Sequence, residues 1–112
     1  MAYTARDYSH LLGMGGISDN TLRNHFTLYQ GYVSHTNKLM ETCQRLVSEG
    51  KADTLEHQET TRHLGFEFNG MRVHEYYFGN LGGTGSPDEA PDLKRFIAAQ
   101  YGSFDAWKQH FT

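Results

Sequence analysis

The sequence predicts a mainly α protein built on one long antiparallel helical hairpin followed by short helices. Three observations carry this. From Leu22 the apolar positions recur at 22, 25/26, 29, 32/33, 36, 39/40, 43 and 46/47, helical spacing held for more than six turns. A second periodic run follows through Leu64, Phe68, Met71, His74, Phe78 and Leu81. Only Lys51-Ala-Asp-Thr54 separates the two, and so short a connection between long helices makes them antiparallel neighbours.

Taken in order, residues 1–17 read as irregular, because Gly13-Met-Gly-Gly16 breaks any helix begun at Tyr8. Ser18 is a helix N-cap, and Asp19 stands where the helix dipole favours a negative charge. The first helix then spans about 19–49 and ends at Gly50, a suitable C′ residue. At 1.5 Å per residue it is about 45 Å long, so it needs a partner along most of its run. Gly31 in its middle is a local cost that suggests a close approach or a bend. Asp53 or Thr54 caps the second helix, which Thr60, Thr61 and Gly65 weaken near its start and Gly79, Gly82 and Gly83 close. The composition of 82–91 is that of a linker, which places a boundary between a hairpin domain, 1–81, and a second unit, 92–112. In that unit Leu93, Phe96, Ile97 and Tyr101 form a short helix stopped at Gly102, and Ser103 caps another carrying Phe104, Trp107 and Phe111. These aromatics have little of their own to pack against, the pattern of an unfinished domain or one completed by another chain.

A chain of 112 residues fits one domain, or one with the start of a second, and its seven Phe, seven Tyr and one Trp supply large surfaces for a core. A net charge of −3 without a Lys/Arg cluster argues against nucleic acid as the main partner. No apolar run approaches the ~20 residues needed to span a bilayer, so no membrane insertion is expected. The first residues have no apolar segment of the secretory kind. The single cysteine, Cys43, lies on the helical stripe as an expected core residue, and its solitude suits the cytoplasm or another reducing compartment.

His25 and His74 are the candidate chemistry. Each stands on the apolar stripe of its own helix among aromatics, and His25, Tyr29 and Tyr32 fall within about 40° of one face. Neutral imidazole is the commonest metal ligand, and two from facing helices would make half of a metal site. Spacing alone leaves two alternatives open, metal ligation or a hydrogen-bonded place at the core's edge. The other histidines, His10, His35, His57, His63 and His110, read as solvated or locally bonded, and Glu67 and Glu75 as surface carboxylates. The Gly-rich segments lack the lysine and strand-loop-helix frame of a phosphate loop and read as turns.

In order along the chain, Ile17-Ser-Asp-Asn-Thr-Leu22 leads to His25, Tyr32-Val33 and Asn37. His74, Tyr77, Phe78 and Leu81 follow, and then Leu93 through Gly102-Ser103-Phe104 and Trp107. In this series the chain resembles the iron/manganese superoxide dismutase family, from about Ile17 to Phe111. The resemblance implies that the short helices begin an incomplete α/β domain. It implies one iron or manganese ion held by three histidines, an aspartate and a solvent molecule. His25 and His74 would be two of those ligands, Tyr32 the catalytic gateway tyrosine, and Tyr29, Tyr77 and Phe78 pocket-lining residues, with Phe78 in place of the family's tryptophan. Superoxide would be the substrate, and a C-terminal half of the same fold or another subunit the partner, in a homodimer when complete.

The departures are equally specific. His25 and Tyr32 are seven residues apart where the family has eight, which predicts a regular helix here in place of a bulge. Leu28-Tyr29 replaces the family's paired histidines, and Gly70 stands four positions before the second ligand. The family's Asp-x-x-x-His ligand segment has no counterpart in these residues. The 112 residues alone are therefore expected to be inactive as a dismutase. A non-catalytic structural subunit of the same fold, within a larger assembly, is the alternative.

Overall fold

A computed structural model describes residues 2–83 and 85–112. Helix α1 spans Asp19–Ser48, α2 Leu55–Gly79, α3 Pro91–Tyr101 and α4 Phe104–Phe111, with single 3-10 turns at Ser9–Leu11 and Pro87–Glu89. The chain divides into two compact units, Met1–Leu81 and Gly82–Thr112.

The termini of the hairpin helices follow from local chemistry. The Ser18 hydroxyl accepts the Thr21 N–H at 3.2 Å and opens α1. At its end Gly50 adopts φ 72°, and Lys51 N–H donates to Leu46 O (2.8 Å) while Gly50 N–H donates to Val47 O (3.0 Å). That double closure is the Schellman arrangement, and it satisfies carbonyls the helix itself leaves free. Thr54 caps α2 by accepting the His57 N–H at 3.3 Å. Thr60 and Thr61 do not weaken the start of α2 as expected. The helix is regular from Leu55, and Thr60 Oγ1 donates back to Glu56 O at 2.7 Å, so its hydroxyl is satisfied within the helix.

The core of the first unit joins Leu22, Tyr29 and Val33 of α1 to Met71 and Phe78 of α2, and it also takes Leu11 from the N-terminal segment. That segment is largely irregular, as expected, yet it is firmly seated. Asn37 pairs with the Tyr3 backbone in both directions, accepting its N–H at 2.8 Å and donating Nδ2–H to its carbonyl at 2.8 Å. Tyr8 sets its ring 4.8 Å from Phe78 and 5.8 Å from Tyr29. Residues 2–17 thus form a strap over the hairpin.

Two expectations are corrected. Cys43 is half-buried, its sulfur 3.8 Å from Thr61 Oγ1, because it lies at the edge of the stripe where α1 meets a polar turn of α2. Gly31 makes no close approach, since a Cβ built there meets nothing within 4 Å. The same holds for Gly65. Gly31→Ala and Gly65→Ala are therefore each expected to stabilise the hairpin by about 0.5–1 kcal/mol, read as a higher urea midpoint at unchanged slope.

The second unit packs α3 and α4 around Phe104 and Trp107, whose rings lie 5.2 Å apart. Neither helix contains a fully buried residue, and Leu93, Phe96 and Phe111 are exposed. Among the described residues there is no strand, so this unit is helical throughout.

Candidate metal centre

The hairpin brings together the two histidines singled out in the sequence. The rings of His25 and His74 lie 5.7 Å apart at 46°. Imidazoles sharing one ion through bonds of about 2.1 Å hold their centres roughly 4.5–6 Å apart, so the pair meets that requirement. The two rings, with Val73 and Tyr77, line a shallow depression of about 230 Å³.

The state of each imidazole can be read from its partners. His74 Nδ1 lies 2.7 Å from the Gly70 carbonyl oxygen, which only accepts. Nδ1 must carry a proton, and in the neutral ring this makes Nε2 the lone-pair donor, held in a fixed orientation. His25 Nδ1 is buried without a hydrogen-bond partner. Such a group costs about 1–3 kcal/mol until something pairs with it. A locked tautomer beside an unpaired buried nitrogen is a donor set that fits a metal ion. As they stand, no three His, Cys, Asp or Glu side chains among the described residues are disposed to hold one.

The tyrosines take different places around the pair. Tyr77 lies 5.8 Å from His25 and lines the depression. Tyr32 sets its ring 5.3 Å from His74 but lines a neighbouring hollow with Leu28, His35, Phe66 and Glu67. Its position depends on Gly70, where an added Cβ would stand 2.4 Å from Tyr32 Cε1. Tyr29 and Phe78 are each 1% exposed and lie behind the imidazoles, Tyr29 stacked on His74 at 6.4 Å and 26°, Phe78 at 5.9 Å from it. Between His25 and Tyr32 α1 is continuous α-helix with no wide turn, as the seven-residue spacing predicted.

Glu67 and Glu75, expected on the surface, are both buried. The helical rotation from His74 turns Glu75 toward Tyr29. The Tyr29 hydroxyl donates to Glu75 Oε2 at 2.7 Å and accepts the Arg6 N–H at 3.0 Å. Arg72 Nη1 donates to Glu75 Oε1 at 2.6 Å, and Arg6 Nε lies 3.8 Å from Oε2. Burial pushes the Glu75 carboxyl up, but the Tyr29 and Arg72 hydrogen bonds and the two guanidinium charges outweigh it, and the carboxyl is held below its usual range. Burial first, and then the hydrogen bond to Glu75 and its charge, push Tyr29 up to about 12 against the Arg6 N–H. Arg72 also lies over the rings of Tyr3 and Phe68, at 5.1 and 5.3 Å. The Arg72/Glu75 spacing of i, i+3 was a readable sign of this pair, whereas Arg6 reaches it from a segment without periodicity.

The site is thus a helical hairpin that sets two imidazoles from facing helices side by side. The chain is 36% identical over 88 residues to an iron superoxide dismutase of Saccharolobus solfataricus, covering 75% of this chain and 41% of that protein. It is 34% identical over 108 residues to that of Aquifex aeolicus (90% and 50%), and 32% over 98 residues to that of Cupriavidus metallidurans (87% and 48%). The chain belongs to the iron/manganese superoxide dismutase family. It spans about half the length, or less, of these relatives. No family model matches it, and no solved structure does.

Proposed function

We propose that this hairpin supplies the two-histidine half of an iron-dependent superoxide dismutase centre. The remaining ligands would come from a C-terminal half of the same fold, in the same chain or another. The observation that carries the reading is the His25–His74 pair, 5.7 Å apart, with one tautomer locked by Gly70 and one buried nitrogen unpaired. The relatives' iron favours iron over manganese.

Held by His25 and His74 together with the ligands of the other half, iron would supply reversible one-electron chemistry, by which two superoxide ions and two protons become oxygen and hydrogen peroxide. This chain's residues would bind and orient. His25 and His74 would donate lone pairs, and the Gly70 carbonyl would keep His74 from turning. Tyr29 and Phe78, both buried, would exclude water on their side of the rings, and Tyr32, its ring 5.3 Å from that of His74, would be the group to pass a proton.

The test is iron content and superoxide disproportionation, measured for the 112 residues alone and mixed with the C-terminal half of the Aquifex relative. Background activity alone, stoichiometric iron and dismutation with the complement, and loss of both in His25→Gln or His74→Gln are expected. Strong activity from the lone chain would sink the proposal. The second reading, a structural subunit without catalysis, is favoured by the placement of Tyr32 in a neighbouring hollow. A stable complex without metal would support it, and stoichiometric iron would count against it.

A further inference from the structure

We propose that His35, His63 and Glu67 form a second cation site, for a divalent ion of the zinc class, which cross-links α1 to α2. His63 and Glu67 are one turn apart on α2, with Nε2 3.0 Å from Oε1. His35 comes from α1 and places Nδ1 3.6 Å from Oε2. Neighbouring donors around a tetrahedral ion with bonds of about 2.0–2.1 Å are roughly 3.3 Å apart, and each imidazole stands close to that spacing from its own carboxylate oxygen, so one ring has to turn for both to share an ion. Two imidazole nitrogens and one carboxylate oxygen make a borderline donor set that zinc, cobalt and nickel favour over calcium or magnesium, with a fourth position left for water.

An independent observation points to a ligand. The Glu67 side chain is nine-tenths buried, and its Oε2 has no hydrogen-bond partner. Glu75 shows how this fold handles a buried carboxylate, with Arg6, Arg72 and Tyr29 all directed at it. No lysine or arginine among the described residues forms an ion pair with Glu67, and only the two imidazoles flank it. A buried carboxylate without a fixed positive partner is unfavourable, and a divalent ion supplies that charge. As they stand the three donors flank the carboxylate and do not ring a common point. Glu67 is the fixed member; the His63 ring already meets its Oε1, and the His35 and His63 side chains, 61% and 53% exposed, have room to turn about it. A hollow of about 290 Å³, lined in part by His35, Phe66 and Glu67, gives an ion access. None of the three ligands belongs to the His25–His74 pair, although Tyr32 lines the same hollow.

Zinc titration of the full chain by calorimetry, with cobalt absorption and thermal melting alongside, tests this. One zinc-binding event retained in His25→Gln/His74→Gln, and weakened at least tenfold by His35→Gln, His63→Gln or Glu67→Gln, is the expected result. Zinc should raise the melting temperature of the parent and not that of His63→Gln. No binding by a parent chain that is helical by circular dichroism overturns the proposal. So does stabilisation that follows acidity alone without a zinc isotherm. Should His25→Gln/His74→Gln fail to fold, the cobalt spectrum of His35→Gln/His63→Gln decides: altered ligand-field bands support the site, and bands identical to the parent's refute it.

Discussion

Glu75→Ala is expected to destabilise the hairpin unit by about 2–3 kcal/mol at neutral pH, measured in urea melts that follow helix content. The substitution leaves the Tyr29 hydroxyl and the Arg72 guanidinium without their acceptor beside a closed core. Removing one member of a fully buried pair costs about 3–5 kcal/mol, but Arg6 and Arg72 are partly exposed and can turn to water, which lowers the figure. Tyr29→Phe keeps the ring against His74 and removes only the hydroxyl, so its cost should be about 1–2 kcal/mol. The pH dependence distinguishes the two partners. The Glu75 carboxyl is held below its ordinary value of 4.5, so its contribution is present above that pH and is lost as pH falls through the native value. Tyr29 has the opposite sign. Its hydroxyl is raised from 10 to about 12, so its contribution is complete below pH 10 and is lost as pH rises toward 12. That loss is on the order of 2–3 kcal/mol, present in the parent and absent in Tyr29→Phe. Phenolate absorbance supplies a second readout, since one of the seven tyrosines should resist ionisation until about pH 12. If the parent and Tyr29→Phe lose stability in parallel between pH 10 and 12, the buried pair is not the cause.

The hairpin was legible because its signals are local and repeated. Leu22, Tyr29, Val33 and Leu46 mark one stripe and Met71 and Phe78 another, and all six are buried. Ser18, Thr54 and Ser103 each cap the helix that follows them, since a hydroxyl before a periodic run has few other places to bond. His25 and His74 could be placed at similar heights from helix length alone. What periodicity could not carry was the strap, which has none. Arg6 meets Glu75 and Tyr3 meets Asn37 through backbone groups and side chains far apart in sequence. That contact turns a carboxylate that reads as solvated into a buried one. Glu67 escaped for a related reason, because its nearest partner on the other helix is a histidine, whose charge a sequence does not reveal. Tyr32 shares a face with His25 on a helical wheel, but the space left over Gly70 settles where its ring goes.

Gly70→Ala should behave unlike the other two mid-helix glycines. At Gly31 and Gly65 the added methyl meets nothing, and only the gain in helix propensity remains. At Gly70 the Cβ would stand 2.4, 2.5 and 2.8 Å from three atoms of the Tyr32 ring, so the ring or the helix must move. Overpacking of this kind costs about 1–3 kcal/mol, which exceeds the propensity gain of up to ~1 kcal/mol, and a net loss of about 1–2 kcal/mol is expected. The consequence extends to the metal-ligand candidate. Gly70 O accepts the His74 Nδ1–H, and Tyr32 lies 5.3 Å from the His74 ring, so displacement loosens both constraints on that imidazole. Nitrogen chemical shifts of His74 should then move from a single Nδ1–H tautomer toward a mixture. A double-mutant cycle isolates the contact: with Tyr32→Ala in place the clash is gone, and Gly70→Ala should become stabilising by about 0.5–1 kcal/mol. The coupling between the two positions should therefore be about 2 kcal/mol, with a sign that identifies crowding. A coupling near zero would mean that Tyr32 does not occupy the space beside Gly70, and that something other than this glycine sets the position of the tyrosine over His74.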